Sequence, residues 1–283
     1  MSTKIPWATE TWDIVEGCTK VSSGCKFCYA ERLAKRARRD FSKVELQPQR
    51  MEQPRHWKRS RDVFVCSRSD PFHREVPSEF LFQAFEVMRQ TPQHRYLLLT
   101  KRPELAYTTW NWPENAWLGV TGEDQENAAR RLTELMQVAQ TNQIKHLFFS
   151  GEPLLSGLDL TPWCGGWGWD YVQGSRRRVD RPRLDWVIVG GESGGPPERA
   201  LVERCQEHLT CRIGWPRDRI LTCGECGAVN GWRPKPEALE RVRSLRDQCV
   251  AAGVPFHFKQ WPIPPYRPGG RAKLDGLEWK ERP

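Results

Sequence analysis

The 283-residue sequence predicts a parallel α/β fold, a full or partial βα barrel carrying a small cysteine-rich insertion. Three observations carry that expectation. Short apolar runs rich in β-branched and aromatic residues alternate with stretches of helical apolar period. A polar cluster follows each run at its C-terminal end, where a barrel builds its active face. A chain of this length also buries a large core, and one barrel-like domain of this size is ordinary. We therefore read residues 1–283 as a single domain.

The elements follow in order. A first strand is expected near residues 12–16, then a cysteine loop, then a helix with Ala30, Leu33, Ala34 and Ala37 on one face. Residues 41–61, with Pro48, Pro54 and many charges, read as irregular connection. Val63-Phe64-Val65-Cys66 is the second strand and runs out into Ser67-Arg68-Ser69-Asp70-Pro71-Phe72-His73. A helix opening at Pro77 or Ser78 places Phe80, Leu81, Ala84, Phe85 and Met88 inward. Tyr96-Leu97-Leu98-Leu99 delivers Thr100, Lys101 and Arg102, and Trp117-Leu118-Gly119-Val120 delivers Thr121, Gly122 and Glu123. After a helix with Ala128, Leu132, Leu135, Met136 and Ala139 inward, His146-Leu147-Phe148-Phe149 delivers Ser150, Gly151 and Glu152. Trp186-Val187-Ile188-Val189 delivers Gly190, Gly191 and Glu192. A helix burying Ala238, Leu239, Val242, Leu245 and Cys249 precedes a last strand at Pro255-Phe256-His257-Phe258, which delivers Lys259.

Two insertions break the rhythm. Residues 161–183 are rich in Gly, Trp and Arg. Residues 196–235 hold Cys205, Cys211, Cys223 and Cys226, spaced C-x5-C-x11-C-x2-C. Four thiolates with a C-x2-C knuckle suit tetrahedral zinc, and the stretch has little apolar core of its own, so a metal would supply the missing stability. An auxiliary iron–sulfur cluster or no metal are the alternatives.

Hydrophobic residues make up 38% and charged residues 28%, as in a soluble globular protein, and no apolar run is long enough to span a membrane. The N-terminus lacks an apolar signal region, so a cytoplasmic location is expected, with ten cysteines serving metal or redox chemistry instead of disulfides. A net charge of +9 fits an anionic partner. Arg32, Lys35, Arg36, Arg38 and Arg39 form one basic run and Arg176, Arg177, Arg178, Arg181 and Arg183 another, so nucleic acid or nucleotide is the leading partner class; a solvated surface is the plainer one.

Cys18, Cys25 and Cys28 lie within eleven residues, spaced C-x6-C-x2-C, on a loop that leads into a helix. Three thiolates suit a [4Fe–4S] cluster with one open iron better than a closed four-ligand zinc site. Unrelated cysteines, or zinc completed by a distant residue, are the competing readings.

A cysteine triplet ending C-x-aromatic-C, early in a chain of repeating strands and helices, resembles radical S-adenosylmethionine (SAM) enzymes. More closely, Thr11-Trp12, Gly17-Cys18-Thr19-Lys20-Val21-Ser22 and residues 24–31 resemble a radical-SAM-like family of unknown function found in phages and prophages. Leu99-Thr100-Lys101-Arg102-Pro103, Ser150-Gly151-Glu152-Pro153-Leu154-Leu155, residues 185–194 and 256–261 extend the resemblance over most of the chain, the two insertions apart.

The resemblance implies a [4Fe–4S] cluster on Cys18, Cys25 and Cys28, cleavage of SAM to a 5′-deoxyadenosyl radical, and an electron donor as partner. Phe27 resembles the aromatic that packs near the adenine. Ser67, Glu123, Glu152, Gly190, Gly191 and Glu192 are candidate SAM contacts. The Gly190-Gly191-Glu192 letters match a methionine-binding motif that normally follows the second strand, whereas here they follow the sixth. Asp70 and His73 are candidates for proton handling, and Lys101, Arg102 and Lys259 for gripping a phosphate or carboxylate. Two other readings compete: a nucleic-acid-binding protein with structural metal only, and a hydrolase using Asp70, Glu123, Glu152 and Glu192.

Overall fold

A computed structural model describes residues 3, 5–108, 111–165, 167–172, 175–192, 195–205, 232–261 and 273–283. Strand β1 spans Glu10–Trp12 and β2 Val15–Glu16; α1 is Tyr29–Arg36 and β3 Glu45–Leu46. Then come β4 (Asp62–Val65), α2 (Ser78–Gln90), β5 (Arg95–Thr100), β6 (Ala116–Thr121), α3 (Gln125–Asn142) and β7 (Leu147–Gly151). The short α4 (Thr161–Cys164) and a hairpin of β8 (Trp167–Val172) and β9 (Ser175–Asp180) lead to β10 (Trp186–Val189). Last are β11 (Val202–Arg204), β12 (Trp232–Pro234), α5 (Pro236–Ala252), β13 (Phe256–Phe258), β14 (Lys273–Leu274) and β15 (Leu277–Glu278).

Seven strands form one sheet in the order β1-β4-β5-β6-β7-β10-β13, every pair parallel. The order follows the chain and the two outer strands do not pair with each other, so the fold is a partial βα barrel. Register alternates the side chains between two faces. Val63, Val65, Leu98, Leu118, Phe149, Val187 and Phe256 join α2, α3 and α5 in the larger core cluster. Trp7, Phe64, Leu97, Trp117, Phe148 and Trp186 form a second cluster on the face turned away from the helices. There Gly119 answers Phe148, whose ring lies 2.5 Å from where a Cβ on the glycine would stand.

The expected first strand is displaced. Glu10–Trp12 pairs with β4, while Val15–Glu16 leaves the sheet for an antiparallel ladder with Glu45–Leu46, inside the region read as irregular. Asp13 and Glu16 turn inward and pair with Arg68 and Arg50, polar partners that draw the chain off the sheet line. The insertion at 161–183 forms α4 and the β8–β9 ladder, and that at 196–235 is closed at its base by β11 against β12.

The C-terminal segment runs antiparallel along β13 through the His257↔Lys280 bridge. It then crosses beneath the open side of the sheet. Arg282 donates to Asp62 Oδ2 at 2.8 Å and to Pro6 O at 2.9 Å, and Arg95 Nη1 donates to Pro283 O at 2.9 Å. No described helix is long and apolar enough to cross a membrane.

Candidate active site around the cysteine loop

The cysteine loop lies over the C-terminal ends of the strands. Gly17 begins it at φ +88°, where a Cβ would stand 1.9 Å from Lys43 O, so only glycine fits. The Cys18 amide donates to Phe41 O at 2.8 Å, and Ser69 Oγ donates to Gly17 O. A single 3₁₀ turn covers Ser23–Cys25, and Cys28 is the N-cap of α1. Cys18, Cys25 and Cys28 are half-buried free thiols.

Three carboxylate–arginine pairs from different strand ends hold this loop. Past β4, Asp70 accepts at Oδ1 from Thr100 Oγ1 (2.7 Å) and the Phe72 amide (3.0 Å), and at Oδ2 from the Lys101 amide (3.1 Å). Its Oδ2 also takes Arg102 Nη1 at 2.9 Å. Arg102 then reaches the loop, with Nη1 3.5 Å from Cys18 Sγ and Nη2 donating to Thr19 O at 2.8 Å and Thr19 Oγ1 at 3.0 Å. His73 Nε2 closes the group, 2.8 Å from Thr19 Oγ1.

Past β6, Glu123 is fully buried with Arg131 of α3, whose Nη1 donates to it at 2.8 Å and to Thr121 O at 2.7 Å. The Gly24 amide donates to Glu123 Oε1 at 3.3 Å. A Cβ on Gly24 would stand 2.9 Å from the Glu123 carboxyl carbon, so the glycine lets the loop settle on the carboxylate.

Past β10, Glu192 pairs with Arg199 at 2.9 Å. Arg199 Nη1 donates to Ser23 O at 3.0 Å, and its guanidinium lies 5.1 Å from the centroid of the Phe27 ring.

These contacts decide the titration of the site. Burial pushes the Cys18 thiol up to about 11, with Asp70 adding and Arg102 opposing. Burial opposes ionisation of Glu123, but hydrogen bonding from Ser22 and the Arg131 charge outweigh it and hold the carboxyl below its ordinary value. Burial raises the Glu192 carboxyl despite Arg199. Burial lowers Lys101 and His73 from their ordinary values.

A second polar set continues the face that carries the Trp7–Trp186 cluster. Lys259 Nζ lies 3.0 Å from Glu152 Oε1. Gly190 makes room, since a Cβ there would come within 2.4 Å of the same oxygen. Among the described residues, Ser150 Oγ and both ring nitrogens of His257 are buried without a hydrogen-bond partner.

The expected residues thus divide into two groups. Asp70, His73, Arg102, Glu123 and Glu192 gather around the loop and are occupied there, so Arg102 has no donor directed at a substrate. Lys101 lies half-buried among the charges of Cys25, Glu123, Arg131 and Asp70, on the loop side, while Glu152, Gly190 and Lys259 stand together apart from it. Ser67 is turned to Asp13, donating to its Oδ1 at 2.8 Å. Gly191 is buried beside Gly190. Of the second cysteine set, Cys205 is buried at the end of β11; Cys211, Cys223 and Cys226 lie outside the described residues.

Arg131 and Arg199 escape sequence reading. Arg131 sits within the inward face of α3 beside Ala128 and Leu132, where a charged residue in an apolar stripe was the available signal. Arg199 lies in the second insertion and carries no signal in the sequence.

Among the described residues no group of three or more His, Cys, Asp or Glu is gathered closely enough for one metal ion. A mononuclear zinc site draws all its sulfurs into one coordination sphere at about 2.3 Å, whereas a cluster spreads its thiolates over separate iron atoms. Three free thiols on one clamped loop are soft donors of the kind such a cluster takes.

A family model described as "Protein of unknown function (DUF5131)" matches residues 2–211. No curated protein matches the chain. Among solved structures, similar chains include spore photoproduct lyase complexed with dinucleoside spore photoproduct, at 12% identity and TM-score 0.46 over 89% of this chain and 75% of that one. A mutant of the same lyase with bound AdoMet and dinucleoside spore photoproduct matches at 12% identity and TM-score 0.42, over 86% and 72%.

Proposed function

We propose, for a chain that belongs to the DUF5131 family of proteins of unknown function, the role of a radical SAM-type enzyme. Its [4Fe–4S] cluster would be held by Cys18, Cys25 and Cys28, and its substrate is an anionic molecule of the nucleotide or nucleic-acid class. The observation that carries this reading is the cysteine loop itself: three free thiols over the strand ends of a parallel partial barrel, fixed by three acid–arginine pairs.

A cluster held by Cys18, Cys25 and Cys28 would supply the one-electron reduction that cleaves the sulfonium of SAM to a 5′-deoxyadenosyl radical. The protein's own residues provide position and environment. Asp70–Arg102 fixes Cys18 and Thr19, Glu123–Arg131 fixes Gly24, and Glu192–Arg199 fixes Ser23 and braces Phe27. Glu152, with Gly190 and Gly191 allowing close approach, offers a carboxylate to the ribose hydroxyls or ammonium of SAM. Ser150 and His257 offer unspent polar atoms nearby, and Lys101 and Lys259 supply the positive charge for an anionic substrate. Zinc on Cys205, Cys211, Cys223 and Cys226 completes the proposal, and metal analysis of the purified chain tests it. The hydrolase reading loses most of its carboxylates, because Asp70, Glu123 and Glu192 are committed to arginines.

The test is anaerobic reconstitution with iron and sulfide, then spectroscopy and chromatography with dithionite and SAM. A reducible [4Fe–4S] signal that shifts on SAM addition, with release of 5′-deoxyadenosine, is expected for the unaltered protein and not for Cys25→Ala. A colourless protein that leaves SAM intact overturns the reading.

A further inference from the structure

The three acid–arginine pairs do not meet the loop in the same way. Glu123 and Arg199 touch main-chain atoms, at the Gly24 amide and Ser23 carbonyl. Arg102 touches a sulfur: its Nη1 lies 3.5 Å from Cys18 Sγ while holding Asp70 Oδ2 at 2.9 Å. Cys25 Sγ has Ser22 Oγ at 4.0 Å, and the half-buried Lys101 lies within the field of Cys25 without the direct contact that Arg102 makes with Cys18. The Arg102 side chain is only 7% exposed, so water screens its charge weakly. It also stays protonated at any working pH.

Asp70 is the counterweight. Four donors converge on its carboxylate, and it keeps a negative charge one hydrogen bond away from the cation that faces Cys18. Hydrogen bonds to ligand sulfurs and nearby net charge set the potentials of iron–sulfur centres. A cationic donor on a thiolate favours the state carrying the extra electron, and an adjacent carboxylate disfavours it.

We propose that Arg102 and Asp70 form an opposed pair that sets the reduction potential of the cluster on Cys18, Cys25 and Cys28, with Arg102 raising it through Cys18 Sγ and Asp70 restraining it. The step concerned is a one-electron reduction by dithionite with no proton taken up. The inference rests on the cluster reading above, and the two fail separately.

The experiment is an EPR-monitored potentiometric titration of the reconstituted full-length protein and two variants, with iron counted per chain. Arg102→Gln removes the cationic donor. At the unaltered protein's midpoint its reduced-to-oxidised ratio should fall roughly tenfold, equivalent to ~59 mV for a one-electron couple. Asp70→Asn keeps the shape of the acceptor and removes the countercharge, so its midpoint should move the other way. A purely mechanical role for the pair would lower iron content in both variants and leave the potential of the assembled clusters unmoved.

Opposite shifts support the proposal. Midpoints equal to the unaltered protein's at full iron content overturn it. If Arg102→Gln assembles no cluster, an unmoved midpoint in Asp70→Asn overturns it alone; loss of the cluster in both variants does so too, assigning the pair to loop support. An unaltered protein that takes up no cluster overturns the function reading instead.

Discussion

Glu123 and Arg131 lie wholly out of solvent, so either residue alone would be a stranded charge. Glu123→Ala should lower unfolding stability by about 3–5 kcal/mol in urea denaturation, the usual cost of breaking a buried ion pair. His257 gives a pH prediction. Burial, helped by Arg282 and Lys280, lowers its ring to about 4, against about 6.5 for a free imidazole. The folded value lies below the unfolded one, so the unfolded chain takes up the proton first. The stability carried by the neutral ring is complete above about pH 6.5 and is lost as the pH falls toward 4. Melting temperatures should follow that slope, and His257→Phe should flatten it. At this scale the sequence was partly legible. Asp70, Arg102, Glu123 and Glu192 are recognisable as strand-end residues, but their partners decide their roles, and Arg131 and Arg199 are close to them only after folding.

The patterns of α2, α3 and α5 and six of the seven sheet strands are legible because their apolar periods answer a buried face. The α1 pattern answers none, since only Ala30 is buried there and Leu33 is exposed, and the first strand is displaced to Glu10–Trp12. The break at Asp13 was not legible, since it depends on Arg50 and Arg68 arriving from distant segments. Two predictions belong here. Gly119→Val places bulk against the Phe148 ring, 2.5 Å from the added Cβ, and should destabilise the protein by about 1–3 kcal/mol, read from chemical denaturation. The β8–β9 ladder pairs with no strand of the main sheet. Replacing residues 166–181 by a short Gly–Ser link should therefore leave the melting temperature and reconstituted iron content unchanged, as differential scanning calorimetry and iron analysis would show.

For the molecule as a whole, strand ends provide the clearest link between sequence and site. A parallel sheet whose strands follow in chain order brings every post-strand segment to one rim, so residues far apart in sequence converge without further instruction. The sequence does not determine whether such a sheet closes. Seven strands leave a side open, and a tail of four residues beyond Trp279 bridges its lower end through Arg282 and Pro283. Ligand binding at the upper rim should register globally: a tightly held cluster raises the melting temperature of the loaded form, since the unfolded chain offers it no assembled loop. Calorimetry of the iron-loaded and iron-free forms checks this, and equal melting temperatures would contradict it.

The tail also fixes where the chain can be handled. Pro6 and Arg282 meet under the sheet, at the ends of the strands farthest from Cys18, Cys25 and Cys28. A fluorophore or surface linkage attached at position 282 therefore sits on the far side of the molecule from the cysteine loop. Immobilised in that way, the protein presents its thiol-bearing rim to the solution, already oriented for single-molecule or electrode work.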